Sequence, residues 1–334
     1  MSKNAALLAG DVLRMVRKRA GTRVASADVH RPFRFFLCGD PALVAEFRAL
    51  LLRGPSDGPV PLDAASTLET IDPFGGRPTV LGPDAKLVVL LCRPGDRAGA
   101  RVDLLQGLRL PVFVLVVDRD GTPAMPPAAP LAGAVGDYVV PDLDAATLRT
   151  RFFPHLVERC KGVEIAVGRR LPVLRESVAA KLTRDAASSA LKIAAASAVV
   201  DHVPLLGAIL GAVASAGDMV AITGIQIALM MQIGATYGKD HDVQQMWELL
   251  PIVGGGFGWR MLSRELSGFI PVAGIAIKGA IAYAGTIVVG EGVAFYYEHG
   301  RHMTRLQAAL RYEETKRTAM AFARHLYTRL RRNP

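Results

Sequence analysis

Three apolar runs of strand length constrain this chain more than any other feature. PFRFFLC (Pro32 to Cys38), AKLVVLLC (Ala85 to Cys92) and PVFVLVVD (Pro111 to Asp118) show almost no alternation between polar and apolar positions. A strand that is apolar on both faces has to be covered on both, as parallel strands are when helices flank a sheet. Helical patterns do fall between the runs. Ala42, Glu46, Phe47, Leu50 and Leu51 mark one, with Asp40 placed to cap it and Pro41 at its first position. Asp103 to Leu108 mark a shorter one, and Tyr138 to Val140 read as a last short strand. The pattern predicts a doubly wound α/β domain over residues 31–165.

The turn after the first run, Cys38-Gly39-Asp40-Pro41, is where phosphate-binding proteins carry G-x-x-x-x-G-K-[ST]. Counted from Gly39, the second glycine, the lysine and the hydroxyl residue fall on Val44, Ala45 and Glu46. A triphosphate and its metal would meet no cation there, and a carboxylate instead, so turnover of a nucleotide is not expected.

Two segments carry a resemblance. DAKLVVLLC and LRLPVFVLVVDRDG, in that order, resemble strands of small GTPases of the translation-factor-like class. The resemblance implies that Val117-Asp118-Arg119-Asp120 stands where such proteins write N-K-x-D, with only the base-accepting Asp120 retained. Asp72-Pro73-Phe74-Gly75 then matches D-x-x-G, a pattern that a Pro/Gly-rich turn explains equally well. The degenerate nucleotide site implied in this way consists of Gly39, Asp40, Asp72, Gly75 and Asp120.

After Cys160 the pattern is helical almost throughout, rich in glycine and alanine. A break at Asp218 is expected to divide the 203–235 block into two short helices. Phe269 to Gly290 is long and apolar enough to cross a hydrocarbon core of roughly 30 Å, with Ala276, Ala280 and Ala284 as a small-residue stripe. Lys278 opposes that, unless it reaches back to the interface. The segments GIQIALMMQIGATYG, PIVGGGFGWRMLSREL and IPVAGIAIKGAIAYAGTIVVGEGVAFYY resemble the YcjF-type domain, a bacterial family of unknown function often joined to GTPase domains. That resemblance implies a membrane-associated helical domain over residues 171–302.

The net charge of +10 is concentrated in a basic amphipathic segment at 1–30 and a basic helix at 303–334. Basic ends around an apolar middle point to anionic lipid; without interleaved aromatics or a groove-reading motif, no nucleic acid is expected. Cys38, Cys92 and Cys160 have no C-x-x-C spacing and read as reduced, buried thiols. Gly254 to Gly258 reads as a turn between helices, Lys239 to Asp242 as a solvated capping loop, and His299 with His302 as surface histidines; no metal is assigned. Arg260, Arg264 and Glu265 read as structural pairing. No catalytic residue and no cofactor is assigned.

The expectation is a non-catalytic scaffold or sensor at the cytoplasmic side of a bacterial inner membrane, with protein partners and a possible homo-oligomer. An atypical GTPase or nucleotide-binding protein, and a soluble helical interaction protein in the cytoplasm, remain the alternatives.

Overall fold

The computed structural model describes residues 28–53, 63–72, 81–96, 98–120, 134–200, 207–239 and 274–332. Ala27–Lys181 forms one compact unit, and the described residues from Leu182 onward belong to a second.

The first unit is a five-stranded sheet in the order β2-β1-β3-β4-β5, with every neighbouring pair parallel. Its strands are β1 (Arg34–Gly39), β2 (Leu68–Thr70), β3 (Ala85–Cys92), β4 (Val112–Val117) and β5 (Gly136–Val140). The helices are α1 (Pro41–Leu52), α2 (Ala98–Gln106), α3 (Ala145–Arg151), α4 (Phe153–Glu158) and α5 (Glu164–Arg170). The α/β expectation holds, and the three apolar runs are the central strands. β2 carries no such run and was not expected.

Both sheet faces are covered, which explains the missing alternation. On one, Phe36, Cys38, Val88, Leu90, Cys92, Val112 and Val114 pack with Val102 and Leu105 of α2. On the other, Phe113 meets Phe152 edge to face at 5.7 Å, and Phe152 meets Phe47 of α1 at 6.1 Å and Tyr138 at 5.1 Å. At the N-terminal edge of the sheet Arg34 ties three segments together. Its Nε and Nη2 donate to the Asp84 carboxylate at 2.7 and 2.9 Å, and Nη1 donates to Glu69 at 2.8 Å.

The second unit is helical. It contains most of α6 (Arg175–Val200), then α7 (Gly207–Thr236), α8 (Gly274–His299) and α9 (Arg305–Arg332). The break expected at Asp218 is corrected: α7 runs through it without interruption. One interior Asp costs only a few tenths of a kcal/mol in propensity, less than nucleating a second helix.

Contacts fix how these helices run. Gln226 donates to Thr286 at 3.4 Å and Tyr237 stacks on Tyr297 at 5.5 Å, so α7 and α8 are parallel. The Arg311 guanidinium holds Glu291 at 2.8 Å and His302 stacks on Tyr296 at 4.8 Å, so α8 and α9 form an antiparallel hairpin. Small residues line the α6–α8 contact: Ala190, Ala194 and Ala282 pack with Ile222 and Ile225. A Cβ on Gly290 would stand 2.2 Å from the Thr183 hydroxyl, so the helices approach there as closely as a glycine allows.

Candidate functional site

Open parallel sheets take ligands beyond the C-terminal ends of their strands, at the point where strand order reverses. Here β1 leads to β2 on one side and β3 lies on the other, so that point is the β1/β3 boundary. Gly39 and Asp40 sit on it. Gly39 has φ +116°, and a Cβ on it would lie 1.9 Å from the Leu91 carbonyl oxygen. This glycine is demanded by the passage of the chain beside β3, where Asp40 N–H also donates to Leu91 O at 2.9 Å.

Asp40 caps α1, as the sequence predicts. Its Oδ1 accepts from Ala42 N at 2.9 Å and Leu43 N at 3.1 Å, and its Oδ2 accepts from Arg93 Nε at 2.7 Å. The N-terminal amides of a helix are a ready anion site, and here the chain's own carboxylate occupies it. The Arg93 guanidinium, then the Leu43 amide, hold the Asp40 carboxyl below its ordinary range. Arg93 rises in turn through its hydrogen bond to Asp40.

A second pairing closes the neighbouring crevice. Arg119, after β4, donates from Nη2 to Glu46 of α1 at 2.6 Å and to Asp142 at 2.8 Å. Glu46 therefore faces an arginine across the strand ends. Those pairs, Glu46 first and then Asp142, push the Arg119 guanidinium up.

Of the residues assigned from sequence, Gly39, Asp40, Asp72 and Asp120 all lie at this edge, and Gly75 falls outside the described residues. Asp72 follows β2, which pairs with β1; Asp120 is exposed in the turn after β4. The sequence reading missed the cations: Arg93 belongs to no motif, Arg119 stands at the unspecified position of the N-K-x-D comparison, and only the sheet brings each to its carboxylate. Each strand is followed within four residues by an aspartate: Asp40, Asp72, Asp96, Asp118 and Asp142. Asp118 is only 7% exposed, and its Oδ1 has no hydrogen-bond partner. With Asp120 and Glu46 added, carboxylates outnumber the nearby Arg93, Arg101 and Arg119, a field that repels phosphate.

No group of three or more His, Cys, Asp or Glu among the described residues could hold a metal ion. Cys38, Cys92 and Cys160 are buried and free, and desolvation pushes Cys38 up to about 12 and Cys92 to about 11. His299 and His302 are exposed and stack on Phe295 and Tyr296. The glycine cluster 254–258, the residues 240–242 and Arg260 to Glu265 lie outside the described residues.

Of the described helices, α8 holds a stretch long and apolar enough to cross a membrane, Gly279–His299, most of it buried within the protein. A core helix of a soluble protein has the same character. No protein-family model, curated protein or solved structure matches the chain.

Proposed function

We propose that this chain is a non-catalytic, membrane-associated scaffold or sensor whose α/β unit is a pseudo-GTPase and whose helical unit belongs to the YcjF type. One observation carries the reading: the Asp40 carboxylate takes the helix N-terminal amides and Arg93 together, the groups a phosphate would need. A nucleotide would have to displace a charge-assisted, intramolecular anion and enter an acid-rich edge without a lysine on the turn. The α/β unit then works through contact. The membrane half of the reading is supported by the apolar α8 and by the basic segments at both ends of the chain.

Three measurements test it. Calorimetric titration of the full chain with GDP and GTP in the presence of Mg²⁺ gives no saturable heat, and phosphate release stays at the uncatalysed rate. Steady phosphate release, or GTP binding abolished by Asp120→Ala, overturns the pseudo-GTPase reading. Flotation with phosphatidylglycerol vesicles carries the chain upward; a chain that stays at the bottom overturns the membrane half and leaves the soluble interaction protein.

A second reading, a small-ligand switch, is favoured by Asp118. A buried carboxylate oxygen without a donor costs free energy, and a ligand N–H at the end of β4 would satisfy it. Thermal stabilisation by a nucleoside, lost in Asp118→Asn, would select this reading.

A further inference from the structure

We infer that the turn between α8 and α9, with the first two turns of α9, is a surface for anionic lipid headgroups; this rests on the membrane reading above and names the residues that carry it. Leu306 and Leu310 are 69% and 63% exposed. Four residues apart on a helix, they share one face. Arg301 and Arg305 flank them, both exposed and neither in an ion pair among the described residues. The guanidinium of Arg301 lies 5.0 Å over the Phe295 ring, which ties it to the end of α8.

Rings collect at this same end of the helices, Tyr237, Phe295, Tyr296 and Tyr297 half-buried and His299 and His302 exposed. Tyr237 stacks on Tyr297, Tyr296 on His302 and Phe295 on His299. Rings with an apolar body and a polar tip settle at headgroup depth. Of the carboxylates near the patch, Glu291 and Glu314 share Arg311 and Glu313 pairs with Lys316, while Glu298 accepts from the neutral Tyr237 hydroxyl at 2.5 Å and keeps its charge. Two outward arginines beside two outward leucines complement a surface that is negative outside and apolar beneath. A second copy of the chain fits less well, because a symmetric contact through this patch brings Arg301 and Arg305 towards their own counterparts.

The test uses the full chain and vesicles of phosphatidylcholine with or without phosphatidylglycerol. Leu306→Ser combined with Leu310→Ser lowers the fraction floated by about tenfold or more. Arg301→Gln combined with Arg305→Gln lowers it by about fivefold per arginine on phosphatidylglycerol vesicles only. These side chains are exposed, so circular dichroism and melting stay unchanged. In a separate variant, His302→Trp with Trp247→Phe and Trp259→Phe, the emission of the introduced tryptophan shifts to the blue on the same vesicles. If the parent chain floats but the leucine pair changes nothing, or Trp emission does not move, the patch is overturned and the membrane reading stands. A loss of self-association in the leucine pair without lipid overturns it in favour of a second copy. A parent chain that never floats overturns both.

Discussion

At the scale of single residues, the turn after β1 shows how one pattern serves two ends. Strand, Gly, Asp, Pro, helix is the layout of a phosphate turn, yet Gly39 is there because the Leu91 carbonyl leaves no room for a side chain. Gly39→Ala should therefore destabilise the α/β unit by about 3 kcal/mol or more, through clash and left-handed strain, read as a fall in the urea midpoint. Asp40→Ala removes the cap of α1 and should cost about 1 kcal/mol. The sign of its pH dependence follows from Arg93. Asp40 titrates below its ordinary 3.8 when folded, so its stabilisation is complete above that value and is lost as the pH falls through the folded pKa. The gap between parent and variant midpoints should thus be full at neutral pH and narrow below about pH 4. A gap that is constant down to pH 2 would refute the pairing.

At the scale of elements, legibility followed the strength of the local signal. β1, β3 and β4 could be read because burial on both faces leaves an unbroken apolar run. β2 could not: Leu68–Thr70 has one buried side chain, Leu68, and is a strand only because Phe35, Phe36 and Leu37 pair with it. The misreading of α7 has the opposite cause, a local signal at Asp218 that the surrounding helix outweighed. Helix contacts in the second unit are set by residues too small to announce themselves. Gly290→Ala should destabilise by about 1–3 kcal/mol, since its Cβ meets Thr183 on α6. Adding Thr183→Ala removes the two nearest atoms and should restore part of that loss, a coupling that thermal melts of the double-mutant cycle measure.

At the scale of the whole molecule, three buried thiols report on the integrity of the α/β unit. With Cys38, Cys92 and Cys160 buried and their ionisation pushed up by desolvation, the native chain should react negligibly with an aromatic disulfide at neutral pH. All three thiols should become titratable in denaturant. Fast labelling of the native chain would contradict the packing of β1 against β3. Alone, the sequence settled what depends on near neighbours: strand-length apolar runs separated by helices, a capped helix, a change to helix after Cys160, and a turn after β1 that carries no lysine. Only the tertiary structure decided that Arg93 closes on Asp40 from fifty-three residues away and Arg119 on Glu46 from seventy-three, because a surface arginine carries no periodicity or motif. Each arginine meets its carboxylate only once parallel pairing has set the strand ends side by side.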